Sequence, residues 1–146
     1  MEAFLNSPWP VVMAFGWVAL VVAASILRRL QVGKPIVPKP PADAIFVETR
    51  TSGHSLKTWW TQIGSAKNCL LVAVTPTTLV VTPQFPFNLM FLPEVYGLEF
   101  IVPRQAITSV ETRPGVFKDP LIIKAGDQRF ELRLRDPEGF RAALGR

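Results

Sequence analysis

Charge, thiol and imidazole are scarce in this 146-residue chain, and each scarcity removes a class of function. Cys69 is the only cysteine, which excludes an internal disulfide and a thiolate metal cluster and agrees with a reducing compartment. His54 is the only histidine, in a Gly53-His54-Ser55 stretch that reads as a loop, and no second ligand stands at metal-binding spacing. Ser55 follows His54 directly, but adjacent side chains rarely face one another and no glycine elbow surrounds the serine, which argues against a hydrolase. Walker, GxGxxG and paired-carboxylate signatures are missing, and Gly97-Leu98-Glu99 reads as the entry to a strand. Sixteen basic against eleven acidic residues give a net charge of +5, without the Lys/Arg-rich run of a nucleic-acid arm. The expectation is a protein that is not an enzyme, carries no cofactor or metal and does not bind nucleic acid.

Absence of charge is most informative at the N-terminal end. Trp9 to Leu27 is an unbroken uncharged run closed by Arg28-Arg29. At the helical rise it spans roughly 28 Å, close to the hydrocarbon thickness of a bilayer. It is apolar all round rather than along one stripe, as a lipid-exposed helix is. Met1-Glu2-Ala3-Phe4 carries an acid and no base, unlike a signal peptide, although Ala23-Ala24-Ser25 resembles a cleavage site. Four basic residues, Arg28, Arg29, Lys34 and Lys39, follow the run. The positive-inside rule therefore puts the N-terminus outside and the rest of the chain in the cytoplasm, with both arginines at the headgroups. The reading is a permanent single span over residues 9–30 of a plasma (inner) membrane protein, after a short extracytoplasmic segment, residues 1–8. Ala19 and Ala23 form a small-xxx-small pair that lets two such helices pack closely, although a lone helix in lipid needs no such pair.

Residues 31–44 contain Pro35, Pro38, Pro40 and Pro41 and read as a semi-rigid polyproline spacer. About 100 residues remain, 45–146, enough for one modest domain. Their pattern is one of short strands: Ile45–Arg50, ended by Thr51-Ser52-Gly53; Leu70–Thr75 and Thr78–Thr82 around a Pro76 hairpin; Leu98–Val102; Ile107–Arg113; Leu121–Lys124; and Gln128–Arg135. In the last, Phe130, Leu132 and Leu134 alternate with charged residues, so one face is buried and the other wet. Asp136 as N-cap, Pro137 in the first turn and Phe140, Ala143 and Leu144 on one face predict a closing amphipathic helix.

Two aromatic segments fit no regular strand. Trp59-Trp60 lies beside Lys57, which suits a loop touching anionic headgroups; the alternative is that one ring packs over the domain. Phe85 to Tyr96 is too apolar for an ordinary loop, and Pro86 and Pro93 forbid a regular element through it. It either covers an open end of the domain or leaves a patch for a partner.

Seven short antiparallel strands followed by one helix is the element order of pleckstrin-homology-like (PH-like) domains. Ser55-Leu56-Lys57-Thr58-Trp59-Trp60 and Phe85 through Glu99 resemble small bacterial membrane-anchored proteins with such a domain. The resemblance implies a mainly β, partly open barrel capped by the C-terminal helix, and a binding or scaffold role at the membrane surface. PH domains hold phosphoinositides with clustered bases; here Arg50, Lys57 and Lys67 are widely separated, so that activity does not carry over. The resulting expectation is a non-enzymatic module at the cytoplasmic membrane surface. Arg28, Arg29, Lys57, Trp59 and Trp60 would meet lipid; Phe87, Met90, Phe91, Glu94 and Tyr96 would meet a protein partner. The alternative is an accessory subunit of a larger membrane complex.

Overall fold

In a computed structural model of the chain, residues 7–56, 66–90 and 98–145 are described, Met90 without its side chain. The elements are α1 (Trp9–Val32), β1 (Phe46–Ser55), β2 (Ala66–Val74), β3 (Thr78–Pro83), α2 (Phe87–Met90), β4 (Phe100–Pro103), β5 (Ile107–Thr112), β6 (Leu121–Ala125), β7 (Gln128–Arg133) and α3 (Pro137–Leu144). A 3₁₀ turn, Arg104–Ala106, joins β4 to β5.

The apolar run forms one helix, long and apolar enough to cross a membrane. Pro10 costs nothing in its first turn, where the backbone N–H has no intrahelical acceptor. Gly33 stops it with a φ of 72°, and the N–H groups of Gly33 and Lys34 return to the carbonyls of Leu30 and Arg29. Phe15 and Trp17 are 72% and 67% exposed, so the helix does not serve as a core helix for the domain.

The strands form one antiparallel sheet in the order β4-β3-β2-β1-β7-β6-β5. Its two edges, β4 and β5, are consecutive in the chain. Flat, seven strands would hold those edges roughly 29 Å apart. The turn from Pro103 to Ile107 reaches about 14 Å when fully extended. The sheet must therefore curl until its edges approach, although no ladder joins β4 to β5 among the described residues. Phe100 of β4 stacks on Phe130 of β7, centroids 5.3 Å apart, across the enclosed interior rather than along the sheet. Leu70, Val72, Val74, Leu79, Val81, Ile123 and Leu132 fill the same core.

β1 makes the curl possible. Its register with β2 shifts between Glu48 and Thr51 and again before Gly53, and Arg50 takes a left-handed φ of 56°. Its last residues, Ser52–Ser55, pair with β7 as well. The expected end of this strand at Thr51–Gly53 is thus a bulge, and the strand continues to Ser55. His54 belongs to the sheet rather than to a loop, because Gly53 lets β7 approach closely. A Cβ at that position would lie 2.5 Å from the Glu131 carbonyl oxygen and 2.9 Å from both Leu132 and Phe130 side chains. Where β7 leaves the sheet, Glu48 replaces the ladder: its carboxylate accepts the N–H of Arg135 at 2.7 Å and of Asp136 at 3.2 Å.

The closing helix forms as its sequence predicts. Asp136 accepts the Gly139 N–H at 2.9 Å, and Gly145, with φ 72°, ends α3. Phe140 and Leu144 enter the core, where Phe140 meets Phe46 edge-on at 5.8 Å. Arg141 reaches β5, donating to the Val110 carbonyl and the Thr112 hydroxyl.

Candidate functional site

Three places combine exposed or unsatisfied chemistry. The first is the junction between α1 and the domain. After Gly33 the proline-rich segment is fastened to α1 and the domain rather than standing off as the extended spacer its prolines predict. Arg29 Nε donates to the Pro35 carbonyl at 3.1 Å, Asn88 Nδ2 to the Ile36 carbonyl at 2.8 Å, and Lys34 Nζ to Glu99 Oε2 at 2.6 Å. Asn88 lies in α2, the single helical turn after Pro86, which packs against α1. Ile45 then joins the domain through its N–H to the Val74 carbonyl.

This junction separates the two arginines expected at the headgroups. Arg28 is exposed; Arg29 is 3% exposed and turned into the protein, because its guanidinium grips the returning chain. Ser25, one turn earlier on the same face, is also buried. The Phe85–Tyr96 segment divides likewise where it is described: Asn88 and Leu89 are buried, while Phe85 and Phe87 remain exposed. Lys57, Trp59, Trp60, Phe91, Glu94 and Tyr96 lie outside the described residues, as does the side chain of Met90.

The second place is a cleft of about 410 Å³ where β1, β2 and β7 meet, lined by Ser52, Gly53, His54, Ala66, Lys67, Asn68 and Arg133. Two of these residues neighbour Glu131 of β7, whose Oε2 lies 4.0 Å from His54 Nε2 and Oε1 3.6 Å from Arg133 Nε. Asn68, at φ 53°, is held in its left-handed conformation by the bond from its N–H to Ser52 Oγ. Among the described residues no three His, Cys, Asp or Glu side chains converge as a metal would require. Lys67, Arg133 and His54 line the cleft, with the Glu131 carboxylate beside the latter two, which makes it a polar recess of mixed charge.

The third place is the β5–β6 loop, and sequence reasoning missed it. Val116 and Phe117 are 92% and 95% exposed. The loop beneath them is well tied: Gly115 N–H donates to Asp119 Oδ1 at 2.9 Å and Arg113 N–H to the Pro120 carbonyl at 3.0 Å. Two apolar residues between Pro114-Gly115 and Lys118-Asp119-Pro120 were the available signal, because such a turn ordinarily carries polar side chains. Since β7 runs antiparallel to β1, this loop leaves beside the start of α3, at the far end of the strands from the β1–β2 and β3–β4 connections.

Ser25, Asn88 and Glu48 were also missed. Each is a common residue whose role arises from a partner distant in sequence. No protein-family model matches the chain, and no curated protein is significantly similar to it.

Proposed function

We propose that this is a single-span membrane protein whose PH-like domain works as a non-enzymatic binding or scaffold module at the cytoplasmic membrane surface. The observation that carries this reading is the fastening of the helix to the domain through Arg29–Pro35, Asn88–Ile36 and Lys34–Glu99. A domain attached only for recruitment needs no more than a flexible leash. One clamped to its helix presents fixed faces, with the β3–β4 side toward the bilayer and the β5–β6 loop turned away. Arg28, Lys57, Trp59 and Trp60 supply the lipid contact; Phe87 and the segment after it, with Val116 and Phe117, supply the partner contact. The PH-like assignment draws its support from the curled sheet and the helix that enters its core.

A second reading, an accessory subunit of a larger membrane complex, is favoured by an open apolar recess of about 140 Å³ on α1, lined by Trp17, Val18, Val21 and Val22. A partner helix would fill such a recess with small-residue packing.

Protease accessibility of the full-length protein tests orientation. The domain should resist protease added outside intact cells and be cut in inverted vesicles; the opposite pattern overturns the reading. A photo-crosslinker at Phe117 should then yield one adduct of defined size in cells, and one within α1 at Val18 should not. Adducts at Val18 alone would favour the subunit reading.

A further inference from the structure

Within α1 only Ser25 and Arg29 are buried, at 4% and 3% exposure. Being four residues apart, they stack on one face of the helix. Arg29 uses Nε on the Pro35 carbonyl, yet its Nη1 is buried without a hydrogen-bond partner among the described residues, and no carboxylate there lies within ion-pair distance of it. Ser25 Oγ is buried and unpartnered as well. Asn88, on the helical turn that packs against α1, is fully buried, spends Nδ2 on the Ile36 carbonyl and leaves Oδ1 unpartnered. Pro35 and Ile36 are consecutive, with Cα atoms about 3.8 Å apart, so Arg29 and Asn88 converge on the same short piece of chain.

The junction thus holds a buried cation without an anion, a hydroxyl and an amide oxygen awaiting a donor. Glu99, the acid nearest in the described clamp, is already bonded to Lys34 at 2.6 Å. An uncompensated guanidinium buried against protein is far more costly than an apolar residue of the same size, and an orphaned carbonyl beside it adds to that cost. A single occupant that satisfies all three must offer an anionic oxygen to Arg29 and Ser25 and an O–H or N–H to Asn88. The exposed Arg28 beside them places this cluster at headgroup depth if α1 spans the bilayer.

The geometry points to a phospholipid headgroup site at the α1–α2 junction, with the phosphodiester on Arg29 Nη1 and Ser25 Oγ and a headgroup hydroxyl or ammonium donating to Asn88 Oδ1. It rests on the reading of α1 as a membrane span. Phosphatidylglycerol and phosphatidylethanolamine meet both demands. Phosphatidylcholine meets only the first, because its quaternary ammonium has no N–H. Bound there, the lipid completes the clamp and makes domain orientation depend on membrane composition.

The test uses full-length protein in mild detergent, with lipids added singly and retained lipid read by native mass spectrometry. Phosphatidylglycerol and phosphatidylethanolamine should be retained about tenfold better than phosphatidylcholine, corresponding to one lost charge-assisted or neutral hydrogen bond pair. Arg29→Gln should abolish that retention, Ser25→Ala should lower it about threefold, and Arg28→Gln should leave it unchanged. Ser25→Ala removes one oxygen, so an unaltered melting temperature without lipid guards against misfolding as the cause. Equal retention of phosphatidylcholine, or wild-type retention by Arg29→Gln, overturns the site. Inorganic phosphate that stabilises the lipid-free protein as much as phosphatidylglycerol does would mark a free-anion site and overturn the lipid assignment. Extraction by alkaline carbonate keeps the two readings apart. A released chain overturns the membrane span together with this site, whereas an integral chain that retains no lipid overturns the site alone.

Discussion

Lys34 and Glu99 are sixty-five residues apart in sequence, yet the Lys34 ammonium lies 2.6 Å from Glu99 Oε2. The Glu99 side chain is 13% exposed, so this pair is better shielded than an ordinary surface bridge. It ties the residue that follows the helix stop to the entry of β4, and with it the whole domain to α1.

Breaking that tie should loosen the junction without unfolding the sheet. Glu99→Gln is expected to cost about 0.5–1 kcal/mol locally, and to speed amide exchange over residues 34–44 severalfold while β6 and β7 keep their protection. Hydrogen exchange of the full-length protein measures it. Unchanged exchange in the segment would show that the ion pair carries no share of the clamp.

The close approach of β1 and β7 at Gly53 leaves no room for a methyl group. Gly53→Ala forces a backbone shift against Glu131 and a rearrangement of the Leu132 and Phe130 side chains. Overpacking of this kind costs about 1–3 kcal/mol. The expected result is a clear fall in the midpoint of thermal unfolding, whereas Ser52→Ala, on the same strand, should have the smaller effect of one lost hydrogen bond.

Val116 and Phe117 touch almost nothing in the fold. Replacing both with serine should change stability by less than about 0.5 kcal/mol, as is usual for exposed positions. With the photo-crosslinker moved to the exposed neighbour Lys118, the same double variant should lose the adduct if the loop is the partner contact. A large loss of stability would instead reveal that the two side chains pack within the protein.

Cys69 is buried in the core, and that burial pushes its thiol pKa above the ordinary thiol value. The unfolded chain ionises first as pH rises, so the contribution of this group to stability is complete below the ordinary thiol value and declines above it. Alkylating reagents at pH 8 should leave native Cys69 unmodified and react once the chain is denatured. Rapid labelling of the native protein would contradict the observed burial.

Local rules carried the sequence reading a long way. Short apolar and β-branched runs bounded by turn residues located all seven strands to within a few residues in most cases, and alternation marked the last of them. Asp136 and Pro137 located the start of α3 because capping depends on neighbours within one turn. The same local reasoning misjudged β1. The bulge around Arg50, together with Thr51-Ser52-Gly53, looks like a strand end until β7 arrives to pair with Ser52–Ser55. It also treated the prolines after α1 as a semi-rigid extended spacer, because the carbonyls of Pro35 and Ile36 find their donors only on α1 and α2 of the folded chain.

The sequence by itself determined an apolar helix of membrane-spanning length, a strand-rich domain behind it and the helix that closes that domain. Each follows from periodicity, charge and capping within a short window. Only the tertiary structure decided that the seven strands form one curled, unclosed sheet, that Arg29 turns inward while Arg28 stays out, and that α1 is clamped to the entry of β4. Those outcomes depend on pairings between residues tens of positions apart. A buried polar group is costly unless it is satisfied, and which distant partner satisfies it is settled by the folded chain as a whole.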